Sequence, residues 1–194
     1  KYLMKLLKVQ VPAGYDANDR VYPAVWNGSF TTVAVWSDNP AWCLRDLLLN
    51  KRYGLGEFLN DTMIDDYALY QIGKYCDEQV PDGRGGFEPR FRLNCIIHER
   101  DQALDVVRNI ISVFRGMGLW DGTRFTVNQD RPGPTVMQYS PANVVDGLFN
   151  YQGSSAKYRH TVAVVAWANP DQMYKTDYEY VEDAAAMLRY GVKK

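Results

Sequence analysis

A chain of 194 residues is long enough to bury a real core, as one large domain or two small ones. Its 22 basic and 23 acidic residues nearly cancel to a net charge of −1, which excludes the broadly basic surface of a duplex-binding domain. Hydrophobic residues at 46% are ordinary for a globular protein, but 14 tyrosines and 5 tryptophans point to an aromatic core, a subunit interface or a sugar platform.

In chain order, "LLKVQVP" (6–12) predicts an opening strand stopped by Pro12. "VYPAVWNGSFTTVAVW" (21–36) predicts a hairpin turning at Asn27-Gly28, with Pro23 at an edge. A helix follows from Ser37 or Asp38 as cap, through Pro40 and the Trp42, Leu44, Leu47, Leu48 stripe, to Lys51, Arg52 and Gly54. A second is expected over 62–77, with Thr62 and Asp65 as a capping box and Ile64, Ala68, Ile72 and Tyr75 on one face. After "VPDGRGGFEPRFRLN" (80–94) come an expected strand over 90–97 and a helix over 101–116 ended by Gly116. Leu104, Ile111 and Phe114 are expected as the buried anchors of that region. A hairpin turns at Asp121-Gly122. Strands are expected over 149–155, 159–170 and 174–183, with a terminal helix or turn from Glu182 to Gly191. The fold class is α+β: a strand-rich lobe from 1–36 and 133–194, with 37–132 inserted as a small α/β lobe.

The glycine-arginine run admits three readings: a phosphate cradle, an RGG-like nucleic-acid tag, or a shaped connection. It lacks the GxxxxGK[ST] order and follows a helix rather than a strand, and it has no GxGxxG. Pro81, Asp82 and Gly83 form a turn signature, and Gly85-Gly86 permit positive φ, so the connection is preferred. Asp65-Asp66 and Glu182-Asp183 are adjacent carboxylates, which on a helix point about 100 degrees apart and make poor acid/base partners. His98 is read as a capping or solvated residue, and His160 opens a strand with no nucleophile motif beside it. Catalytic, cofactor-binding and metal-binding residues are therefore all expected to be none. Cys43, Cys76 and Cys95 are odd in number, lack metal spacing, and read as reduced, partly buried thiols. "YDANDRVY" and "YKTDYEYVED" suit a sugar-stacking surface or a subunit interface, the second being preferred. No secretory segment or bilayer-long apolar run stands in the sequence, and both ends read as cut from a longer polypeptide.

In order, "VQVPAGYD", "WNGSF", "SDNPAWCLRDLLLNKRYGLG", "YCDEQVPDGRGGFEPRFRLN", "TVNQDRP", "RHTVAVVAWANPD" and "VEDAAAMLRYG" resemble the lambda-type phage tail tip attachment (host-specificity) proteins. The resemblance runs from about Val9 to Gly191 and fits an N-terminal-to-middle portion of such a protein. It implies a virion structural role at the tail tip, in a trimeric hub that closes the tail tube and holds the tape-measure protein. It also implies synthesis in the bacterial host cytoplasm, no membrane contact from this piece and at most transient contact with DNA in the channel. Under that resemblance Arg84, Arg90 and Arg92 line a subunit interface or the channel, with no choice between the two. A carbohydrate-binding or cell-wall-degrading module of a tail tip is the alternative.

Overall fold

The computed structural model describes residues 5–97, 102–153, 155 and 158–193, which divide after Pro134 into two compact units. Among them the fold is α+β: four helices and small antiparallel two-stranded sheets.

In the first unit, β1 (Lys8–Val9) pairs with β2 (Val35–Trp36). Helix α1 (Pro40–Leu49) begins where Asn39 accepts the Ala41 amide and Pro40 takes a position whose N–H has no helical partner. Helix α2 (Asp66–Asp77) is capped by Asp65, which accepts from the Ala68 amide. The helices meet at Gly73, where a Cβ would lie 2.4 Å from Trp42 Cζ2. Only glycine lets the indole lie that close, and Trp42 is fully buried as a result. Helix α3 (Ala103–Val113) adds Val107, Ile110 and Ile111 to the core, and Phe114 closes it. The hairpin β5 (Gly116–Trp120) and β6 (Phe125–Gln129) turns at Asp121-Gly122 as expected. It is tied to the start of α2 by the Asp65 amide, which donates to the Phe125 carbonyl at 3.0 Å.

Several expectations are corrected here. Residues 21–36 do not fold back at Asn27-Gly28. The segment 30–36 pairs instead with the opening strand, through Pro12 to Phe30 and β1 to β2. Asn27 does turn the chain, accepting the Ser29 amide at 3.0 Å, but Trp26 beside it is drawn into the core and stacks on Tyr70 at 4.4 Å. Burial of a large ring outweighs the local hairpin preference. Residues 90–97 form no strand and join no ladder. The Arg90 and Phe91 amides go to the Glu78 and Cys76 carbonyls at the end of α2, and the Leu93 amide goes to the Asp38 carbonyl just ahead of α1. Of the expected inward face Phe91, Leu93 and Cys95, the first two pack against the core and Cys95 is exposed. Leu104, at the first turn of α3, is 55% exposed, and the core stripe begins one turn on at Val107. Helix α2 starts four residues later than its expected start, because Thr62 is used in a separate turn, Asp61–Met63, capped by Asn60.

In the second unit, β7 (Val162–Asn169) and β8 (Lys175–Glu182) pair over their full length, followed by α4 (Ala184–Tyr190). The described residues of 149–155 form no strand. Strands β1 and β2 pair with each other within residues 1–36, and the two compact units are 1–134 and 135–194.

Candidate functional site

The glycine-arginine run is a β-hairpin. Strands β3 (Gln79–Pro81) and β4 (Phe87–Pro89) pair in antiparallel register, leaving Asp82–Gly86 as the tip. Asp82 organises the tip by accepting the Arg84 amide at 2.8 Å and the Gly86 amide at 2.9 Å. Those two amides, Arg84's first, hold the Asp82 carboxyl below its ordinary value. Gly83 and Gly85 have φ of 75° and 90°, a region in which a side chain is strained. The backbone N–H groups that a phosphate cradle would need are thus spent on an internal carboxylate.

The three arginines separate. Arg84 projects at the exposed tip. Arg90 donates to Glu78 at 3.0 Å and lies 4.4 Å over the Tyr75 ring. Arg92 donates to Glu88 at 2.9 Å. Two of the three guanidiniums therefore brace the hairpin and its flank rather than converging with Arg84 on one point.

The strongest polar constellation was not anticipated from sequence. Asp77, at the end of α2, is 6% exposed. Its Oδ2 accepts from Tyr15 and Tyr22 hydroxyls, each at 2.7 Å, and from Asn39 Nδ2 at 2.8 Å. Its Oδ1 accepts from Arg20 at 2.5 Å, and the same guanidinium reaches Asp38 at 2.5 Å. Arg20 holds a left-handed backbone, φ 57°, in the turn closed by Asp16 and Val21. The network fastens the 13–30 loop to the start of α1 and the end of α2. One signal was present: an acid in the last turn of a helix opposes the macrodipole and needs compensating donors. "YDANDRVY" supplies them, so Tyr15 and Tyr22 serve the interior and not a sugar or subunit surface. Burial first, then the Asp77 charge, raises both tyrosine pKa values.

A second ionic group is likewise structural. Arg45, 4% exposed, donates to Asp66 and Asp61 at 2.7 Å each and lies 3.5 Å over Phe30. A hollow of about 500 Å³ beside it is also lined by Asp46, which accepts from Tyr53.

The remaining candidates are dispersed. Asp65 and Asp183 cap α2 and α4, and Glu182 ends β8. His160 is exposed, and His98 lies outside the described residues. Cys43 is half-buried, and burial foremost pushes its thiol up to about 12. Cys76 is buried and Cys95 exposed. No described helix is long and apolar enough to cross a membrane. Aromatic side chains stay at the surface in both units: Phe58, Tyr67 and Phe87 in the first, and Tyr174, Tyr178 and Tyr180 in the second.

Known proteins share this sequence. Residues 102–193 match the family described as putative phage tail protein. Tip attachment protein J of Escherichia phage SECphi27 is 39% identical over 183 residues, 94% of this chain. Its counterpart in Escherichia phage SECphi4 is 37% identical over 168 residues, 86% of this chain. The chain spans 15% of the length of each of these curated relatives. The identity runs through both units, and over most of its length the chain is similar to phage tail tip attachment proteins.

Proposed function

We propose that this chain is a structural part of a phage tail tip, a portion of each subunit in a trimeric hub that closes the tail tube and supports host attachment and DNA ejection. The observation that carries the reading is 39% identity across 94% of the chain to a protein named for tip attachment. The geometry is in keeping with a scaffold: the buried charges near Asp77 and Arg45 fasten elements to one another. In the hub the partners are further copies of the chain and other tail proteins, including the tape-measure protein. DNA passes the channel with only transient contact. The hairpin tip carrying Arg84 is the part assigned to a neighbouring subunit or the channel wall, while Arg90 and Arg92 stiffen it.

Sedimentation of the longer polypeptide that contains this chain tests the reading, with a stable trimer expected. A stable monomer at high concentration would overturn it. Clearing of peptidoglycan in a zymogram, or tight binding on a glycan array, would replace the scaffold with a wall-degrading or sugar-binding module.

A further inference from the structure

The β7–β8 hairpin exposes apolar side chains that its sequence would bury. Strand β7 reads VAVVAWAN, eight residues without a charge, the composition of a strand covered on both faces. Yet Val164 and Val165 are 49% and 44% exposed. The register sets Val164 opposite Tyr180 and Ala166 opposite Tyr178, so these four side chains share one face, uncharged up to Glu182 at its end. The other face mixes Lys175, Asp177 and Glu179 with Val165, Trp167 and Val181, so water is met there by charges as well as apolar groups. A lone two-stranded hairpin is marginally stable, and a long uncharged edge is the kind that natural sheets guard against.

We infer that the β7 edge of one copy pairs with the β8 edge of the next, so that three hairpins close into a six-stranded antiparallel ring. The Val164, Ala166, Tyr178, Tyr180 face turns inward. The inference rests on the trimeric reading above and names the surface that builds it. Strands β7 and β8 are antiparallel and each eight residues long. Rotation about an axis along them therefore brings β8 of one copy antiparallel to β7 of its neighbour. Pairing β7 with β7 would bury one edge and leave both β8 edges open. Head-to-tail order uses both edges of every copy, and closure leaves none. Alanine facing tyrosine supplies the small-large alternation that a narrow ring needs.

Sedimentation with hydrogen exchange, on this chain at about 10 μM and about 1 mM, tests it across the range in which weak contacts form. The expected result is a monomer at the lower concentration and a trimer at the higher, with exchange slowed in both 162–169 and 175–182. Val164→Lys should lose the trimer while the first unit's exchange is unchanged. A monomer at both concentrations overturns the pairing. A dimer slowed in β7 alone overturns it in favour of β7–β7 pairing. A trimer without slowed exchange in the hairpin overturns it while leaving the hub reading intact. Slowed hairpin exchange in a monomeric longer polypeptide would mean that its own strands cover the face, and it would overturn both.

Discussion

Asp77 decides how the first unit is held, because four donors from two separate segments, the 13–30 loop and the start of α1, end on one carboxylate. Asp77→Ala should cost about 3–5 kcal/mol by urea denaturation, since it leaves the half-buried Arg20 guanidinium with Asp38 alone and removes the acceptor of three further buried or half-buried donors. A loss below about 1 kcal/mol, the range of exposed pairs, would show the network to be solvent-screened. The tyrosines add a pH dependence. Burial, and next the Asp77 charge, raises the Tyr15 and Tyr22 pKa values above their ordinary 10.0, so the folded state holds these protons more tightly than the unfolded chain. Stability from this source is whole below about pH 10 and falls as pH climbs above it. Urea midpoints at about pH 8 and about pH 11 should diverge, and less so in Tyr22→Phe. Equal divergence in both proteins would place the titration elsewhere. Of the three thiols, exposed Cys95 should react fastest with a maleimide, while Cys43 and Cys76 lag.

At the scale of elements, α3 and the glycine hairpin offer the sharpest contrast. Phe114→Ala should cost about 3–5 kcal/mol by opening a cavity in a fully buried site. Arg84→Ala, at an exposed tip, should stay within about 0.5 kcal/mol. Gly73→Ala should destabilise by about 1–3 kcal/mol, because the added methyl meets Trp42. Equal losses at Phe114 and Arg84 would mean that the hairpin tip is not a surface connection. The helices were legible because 3.6-residue stripes and caps are local, and so was the Asp121-Gly122 hairpin. Local information failed where a distant partner decided. Asn27-Gly28 has the residues of a hairpin turn, but Trp26 stacks on Tyr70, over forty positions away, and sets the pairing. Phe91 and Leu93 alternate like a strand, yet their amides are claimed by the Cys76 carbonyl in the last turn of α2 and the Asp38 carbonyl ahead of α1. The Asp77 network is assembled from 15, 20, 22, 39 and 77, a juxtaposition that no window of sequence contains.

For the whole molecule, what the residues do locally and what the protein does are connected only through assembly. The first unit has its own core, with Trp42 and Phe114 fully buried, whereas Val162 is the buried apolar side chain among the described residues of the second. Large apolar groups left in water, such as Tyr151 and Val136 at 90% and 98% exposed, mark surface suited to further contacts. The composition already leaned this way, since 14 tyrosines in a nearly neutral chain suit subunit contacts better than a nucleic-acid surface. The division of labour between units was not legible, because strand-like segments at both ends gave no sign of which partners they take. The role at the tail tip is tested most directly by gold-labelled antibody against this chain on negatively stained virions of the phage that encodes it. Label should gather at the distal end of the tail. Label on the capsid or along the tail shaft, or its absence from intact virions, would contradict a hub that closes the tube.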